Sequence, residues 1–183
     1  MKLHLTRLDG VYLAESTPVA DHRGALIRLY CDQELAPALG SRAIAQINHT
    51  HTRLAGAVRG LHLQYAPHAE TKMIRCLKGR VWDVAVDLRA GSATFLQWHA
   101  EELSPGNGRM MLIPEGVAHG FQALEADSEL LYLHTAAYTP SAESGFSCRD
   151  ERLGIRWPLP ILNLSARDAG HPPIATDFPG IPS

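Results

Sequence analysis

Gly108-Arg109-Met110-Met111-Leu112-Ile113-Pro114-Glu115-Gly116-Val117-Ala118-His119-Gly120-Phe121 decides how the rest of the chain is read. Residues 110–113 have the texture of a short buried strand, Pro114-Glu115-Gly116 makes a tight corner, and His119 then points back inward from a second apolar run. Upstream, Arg59-Gly60-Leu61-His62-Leu63-Gln64 sets another histidine in a strand of the same kind, and Lys72 follows. Two histidines and a lysine therefore stand where a small β-barrel would hold a ligand. Such a set suits proton abstraction from a carbon acid better than it suits metal binding.

A two-residue period runs outward from this stretch. In residues 80–88, Trp82, Val84, Val86 and Leu88 share one face, and Val81, Asp83, Ala85 and Asp87 share the other. The even positions Leu130, Tyr132, His134, Ala136 and Tyr138 line one side of residues 129–138, and Glu70, Lys72, Ile74 and Cys76 line one side of residues 70–76. Turns are expected at residues 77–80, 89–92 and 104–108, each carrying Gly with Lys, Arg, Ser, Asn or Pro. Only residues 32–39 read as a helix, with Asp32 as its cap and Gly40 as its stop. Many short strands with regular turns predict an all-β sandwich or barrel. Beyond Trp157, six positions (Pro158, Pro160, Pro172, Pro173, Pro179 and Pro182) hold half of the chain's 12 prolines. Proline removes ladder donors, so this tail is expected to run extended, wrapping the body as far as Asp168 and then fraying.

Composition narrows the function classes. A chain of 183 residues with 45% hydrophobic and 20% charged residues is sized for one soluble domain with a substantial core. A formal charge of −2 and the lack of a basic stripe argue against nucleic acid. Residues 1–7 lack the apolar core of a secretory signal, and no apolar run approaches membrane-spanning length. Cys31, Cys76 and Cys148 form neither a disulfide framework nor a metal pair, which points to buried thiols and a cytoplasmic setting.

Abstracting a proton beside a ketone needs a base, a carboxylate to orient it, and a cation where the enolate charge develops. Reprotonation from the opposite face by a second acid would invert the stereocentre. His62 fits the base, Lys72 the cation and Tyr132 the acid; Asp83 or Asp168 fits the carboxylate. His49 and His51 share a strand face, where solvent exposure is expected. The spacing from Gly108 through Pro114 and Gly116 to His119 resembles the second motif of the cupins, although Ala123 stands where an Asn is usual. The first cupin motif resembles Gly56 through His62, but Gln64 replaces its second histidine and Glu70 lies too far on. A metal site asks for three or four good ligands, so no metal is expected.

Seven segments in order now carry a specific resemblance. They are Asp21-His22-Arg23-Gly24, Gln46-Ile47-Asn48-His49, residues 58–64, residues 81–89, residues 113–121, Leu131-Tyr132 with Tyr138-Thr139-Pro140, and Ile155-Arg156-Trp157-Pro158. From about residue 10 to Asp168 the chain resembles the dTDP-4-dehydrorhamnose 3,5-epimerase family of cupins. The resemblance implies a cupin jelly-roll, or double-stranded β-helix, barrel with short peripheral helices and an extended C-terminal tail. It implies a single epimerase domain over 1–168, a Pro-rich tail over 169–183, and no metal or organic cofactor. His62 would be the base, Asp168 its orienting carboxylate, Lys72 the enolate's partner with His119 nearby, and Tyr132 the opposing acid. Arg59 and Arg23 would hold a diphosphate, a task suited to planar guanidinium groups. Gln46, Asn48 and Glu143 would add polar contacts, and Tyr138 would stack on the base. Members are dimers that exchange N-terminal strands, so Arg23 would serve the partner's pocket.

Three departures fall in segments that contact the nucleotide in relatives: Val19 for an aromatic residue, Ala25-Leu26-Ile27-Arg28 for aromatics and a glutamate, and Ile47 for a polar residue. Arg28 in place of a carboxylate adds positive charge and is expected to bind substrate. The sequence thus predicts cofactor-free epimerisation at C3, C5 or both of a nucleoside-diphosphate 4-keto-6-deoxy sugar. Its rivals are a metal-dependent cupin enzyme, a non-catalytic sugar-nucleotide binder and a ketoisomerase of the same fold.

Overall fold

The structure is a computed structural model and describes residues 1–182. The chain opens with β1 (Lys2–Leu5) and β2 (Tyr12–Glu15), followed by an exposed hairpin of β3 (Val19–Asp21) and β4 (Gly24–Leu26). Helix α1 (Asp32–Leu39) leads into β5 (Gln46–Thr52), β6 (Val58–Gln64), β7 (Lys72–Lys78) and β8 (Val81–Asp87). Then come β9 (Trp98–Leu103), β10 (Arg109–Ile113), β11 (Val117–Ala123), β12 (Ser128–His134), β13 (Glu143–Gly145) and the one-turn helix α2 (Ala166–Ala169).

Two antiparallel sheets face each other, one in the order β1-β2-β10-β7-β12-β5 and the other β13-β6-β11-β8-β9. The opening stretch of sequence crosses between them: β10 lies in the first sheet, the Pro114-Gly116 corner turns the chain, and β11 is central in the second. This is the cupin jelly-roll barrel.

The two-residue period sorts side chains between the barrel interior and its outer faces. Val81 and Ala85 of β8 turn inward to meet Ile74, Met111, Phe121 and Leu130. Val84 and Val86 turn outward. A fully buried side chain the size of Phe121 contributes on the order of 2–3 kcal/mol of transfer free energy. On the first sheet's outer face, Met73, Met110, Leu112 and Leu133 receive Leu35 and Leu39 of α1. That helix has the expected bounds, but Cys31 holds the N-cap position and Asp32 sits in the first turn. Burial pushes the Cys76 thiol up to about 11, so it stays an inert core thiol.

The outer face of the second sheet is apolar and is covered by the C-terminal segment, which corrects the expectation of fraying after Asp168. Phe146, Leu153, Ile174 and Ile181 are buried against Val58, Leu61, Leu63 and Val84. Ile181 also exchanges backbone hydrogen bonds with Leu88 and Ala90. Residues 169–182 thus pack on the same body as the rest, and the segment's fold-back carries α2 to the barrel mouth. No helix among the described residues is long and apolar enough to cross a membrane.

Candidate active site

Register places two histidines opposite each other. In the pairing of β6 with β11, His62 faces His119, and the register shifts between His119 and Phe121. Gly60 makes this approach feasible: at φ +122°, a Cβ there would meet Gly120 Cα at 2.5 Å and the His119 carbonyl at 2.7 Å. Both histidines line one cleft of about 1350 Å³ at the barrel mouth.

His62 Nε2 lies 2.8 Å from Asp168 Oδ1. The carboxylate can only accept, so Nε2 carries the proton and Nδ1 is left as the basic nitrogen. Asp168 is delivered by α2, where the Ser165 hydroxyl accepts from the Asp168 amide at 3.0 Å. Its Oδ2 accepts from the Gly60 amide at 3.3 Å, tying the dyad to β6. Burial would raise the Asp168 carboxyl, but the hydrogen bond and charge of His62, the Gly60 amide and the Arg167 guanidinium outweigh it and hold the group below its ordinary value. His171 packs edge-on to the His62 ring at 5.5 Å between centroids, in space left open by Gly145, where a Cβ would fall 2.3 Å from His171 Nε2.

His119 forms a second dyad deeper in the barrel, with Nε2 2.7 Å from Asp83 Oδ1. Burial raises the Asp83 carboxyl although His119 opposes the shift. Asp83 is therefore paired with His119, and Asp168 is the carboxylate hydrogen-bonded to His62. The Tyr132 ring stands edge-on to His119 at 5.7 Å. Burial first, and the Asp83 charge second, hold its phenol well above the ordinary value, so it stays protonated and able to donate. Lys72 Nζ donates to the His62 carbonyl at 3.2 Å and pairs with Glu70 Oε1 at 3.1 Å.

Polar groups ring the mouth. Arg59 is braced by the Thr52 hydroxyl and the His51 carbonyl, each at 3.2 Å. Gln46 accepts from the Tyr138 amide at 2.9 Å, and the Tyr138 hydroxyl donates to Glu143 at 2.8 Å. With Asn48, these side chains line the same cleft as His62, Lys72, His119, Tyr132 and Asp168.

Two predicted residues lie elsewhere. Arg23 sits on the exposed hairpin, paired with Asp21 at 2.6 Å, because that hairpin departs from its own barrel. Arg28 pairs with Glu34 in the first turn of α1 and, like Arg23, does not line the cleft of its own barrel. His49 and His51 are exposed as expected, against Glu129 and Asp127.

Sequence reasoning passed over His134, Arg167 and His171. Arg167 donates to Glu143 at 2.7 Å, and its guanidinium lies 3.2 Å from His62 Nε2 without a hydrogen bond there, since both groups are donors in the tautomer that bonds Asp168. Its signal was its place beside Asp168.

The metal question turns on Gln64, which stands at a cupin ligand position. Its amide donates to the His68 and Ala137 carbonyls at 2.9 and 3.3 Å and accepts from the Thr139 amide at 2.6 Å, so it is committed to the backbone. His62, Asp168 and His171 do bring three donor atoms within 4.8 Å of one another. The Arg167 guanidinium beside them opposes a further cation.

Comparison with known proteins places the chain in a family. The sequence profile for dTDP-4-dehydrorhamnose 3,5-epimerase matches residues 5–176. The dTDP-4-dehydrorhamnose 3,5-epimerase of Salmonella typhimurium is 40% identical over 169 residues, spanning 91% of this chain and 92% of its own length. The chain belongs to the dTDP-4-dehydrorhamnose 3,5-epimerase family. Like the other members it is an isomerase, an epimerase. Solved structures agree along the whole fold. A dTDP-6-deoxy-D-glucose-3,5-epimerase from Legionella pneumophila, in complex with dTDP-4-keto-L-rhamnose, superposes with a TM-score of 0.89 at 34% identity, covering 94% of this chain and 92% of the other. A 3′-monoepimerase from Streptomyces bikiniensis, in complex with dTDP-quinovose, gives 0.90 at 30% identity, covering 98% and 92%. This fold in the epimerase family therefore accommodates both double and single inversion.

Proposed function

We propose that this epimerase inverts C3, C5 or both in a dTDP-linked 4-keto-6-deoxy sugar, with side chains alone carrying the chemistry and no cofactor. The observation that carries the reading is the 2.8 Å His62–Asp168 dyad in the same cleft as Lys72 and Tyr132. His62 Nδ1 takes the proton from the carbon beside the C4 ketone, and Asp168 steadies the imidazolium that results. The Lys72 ammonium meets the enolate oxygen as charge develops, where a placed donor typically contributes ~10²–10³-fold. Tyr132 returns a proton from the opposite face, and its raised phenol keeps that proton available. Arg59 engages the diphosphate, Gln46 and Asn48 add polar contacts, and Tyr138 stacks on the base.

The same reading makes the protein a homodimer in which the exposed β3–β4 hairpin brings Arg23 to the partner's cleft. What favours it is the hairpin itself: all six strand residues are exposed, and Val19 and Leu26 are 73% and 76% accessible, a poor state for apolar side chains in an isolated chain.

Incubation with dTDP-4-keto-6-deoxyglucose in deuterated water tests the activity. Deuterium is expected at the inverted carbons, and its absence from both C3 and C5 refutes the reading. Product NMR counts the inverted centres and exposes any ketoisomerase, which would move the carbonyl instead.

A further inference from the structure

Lys72 is held by a carboxylate that it does not hold alone. Glu70 Oε1 pairs with Lys72 Nζ at 3.1 Å, and Glu70 Oε2 accepts from His134 Nδ1 at 2.9 Å. Glu70, Lys72 and His134 are 9%, 8% and 9% exposed, so the carboxylate is divided between an ammonium and an imidazole largely away from water. His134 and Lys72 are also direct register partners across β12 and β7. The His134 ring lies 8° from parallel to Tyr132, with centroids 5.8 Å apart. One imidazole therefore touches the acid through its face and reaches the oxyanion's cation through Glu70.

We propose that Glu70 and His134 are positioning residues for Lys72: Glu70 fixes the ammonium beside the His62 backbone, and His134 pins Glu70. This rests on the reading in which Lys72 meets the enolate oxygen. The physical reason is desolvation. A buried ammonium without an anion favours its neutral form, whereas a shared carboxylate supplies a counter-charge without closing over the ammonium completely. A carboxylate bonded at one oxygen could swing away with its side chain, and the imidazole N–H at the other oxygen removes that freedom. Glu70 is itself held below its ordinary value: burial would raise it, but the His134 hydrogen bond and the Lys72 charge outweigh burial. The other titratable groups around Lys72 are His62 on β6, His119 on β11 and Tyr132 on β12, while on the β10 side its register partner is the apolar Ile113.

The test uses the full-length enzyme and two readouts. In the first, kcat and KM for deuterium exchange are followed against pH for wild type, Glu70→Gln, His134→Leu, His134→Gln and Lys72→Met. Glu70→Gln is expected to lower kcat ~10–100-fold, the scale of a lost charged hydrogen bond. It should bring the alkaline fall in kcat to lower pH while KM moves less. His134→Leu should lose part of kcat, and His134→Gln, which can still donate to Glu70, should recover most of it. A wild-type kcat profile in Glu70→Gln, or equal rates in the two His134 variants, overturns the inference. In the second readout, nitrogen-15 NMR follows the Lys72 ammonium without turnover, and Glu70→Gln should lose that proton at lower pH than wild type. Identical titrations overturn the positioning role. Wild-type exchange in Lys72→Met, with the NMR difference intact, instead refutes the enolate role of Lys72 and leaves the Glu70 contact standing.

Discussion

Replacing Asp168 by Asn removes one charge and keeps the shape of the dyad, so its effect measures what that charge does for His62. The Oδ1–Nε2 distance is 2.8 Å, and Asp168 is buried at 5% exposure. When His62 takes a proton from substrate, an imidazolium forms with its charge centred about 4 Å from the carboxylate. At an effective dielectric of about 20, that attraction is ~4 kcal/mol, which corresponds to about 10³-fold in rate. The Arg167 guanidinium, 3.7 Å from Oδ1, already takes up part of the carboxylate's field, so the expected loss is ~10²–10³-fold. An Asn amide that donates toward Nε2 would also push the His62 proton to Nδ1 and block the basic nitrogen. KM should stay within about threefold, because a residue acting through His62 affects the transition state rather than ground-state binding. Single-turnover deuterium incorporation near neutral pH reads the step directly. A loss of less than fivefold, with the variant folded by circular dichroism, would refute the argument that the carboxylate supports the base.

Four further outcomes follow from the geometry. Tyr132→Phe should retain deuterium exchange while losing inversion at one or more centres, since it removes the acid and leaves the base; product NMR showing normal inversion would remove Tyr132 from the mechanism. Arg28→Ala should leave KM within twofold because Arg28 is committed to Glu34, whereas Arg59→Ala should raise KM at least tenfold; steady-state kinetics on the two variants separates them. Burial would raise Asp87, but its hydrogen bonds from Arg89, Ser92 and Thr94 hold it down at about 2 against an ordinary 3.8. Its folded value is depressed, so its contribution of about 2 kcal/mol is complete above the ordinary value and fades as pH falls toward 2; urea melts of Asp87→Asn should show that deficit at pH 7 and a shrinking one in acid. Gly60→Ala should unfold the strand crossing or shift it, since its methyl would fall 2.5 Å from Gly120 Cα, and a melting temperature equal to wild type would contradict the packing.

What the sequence made legible follows from period and spacing, and what it hid follows from register. Alternation alone separates Val81 and Ala85 from Val84 and Val86, and the structure sends the first pair into the barrel and the second beneath the C-terminal tail. It also groups Glu70 with Lys72 and Tyr132 with His134, each pair on one strand face. No periodicity within a strand says which strand lies next to it. Only the antiparallel register of β7 with β12, which sets His134 against Lys72, turns two such faces into one network. Arg28 shows the same limit: its charge is visible in the sequence, but its partner Glu34 comes six residues later on a helix whose docking the local pattern does not specify. The choice between Asp83 and Asp168 has the same origin. Asp83 has the right face and depth, and it is the neighbouring β11, in register with β8, that commits it to His119. Asp168 reaches His62 across 106 residues of chain because an apolar tail needs a sheet face to cover and α2 rides with it. The His62–Asp168 pair is therefore set in place by the folding of the tail, through the packing of its apolar residues, Ile174 and Ile181 above all.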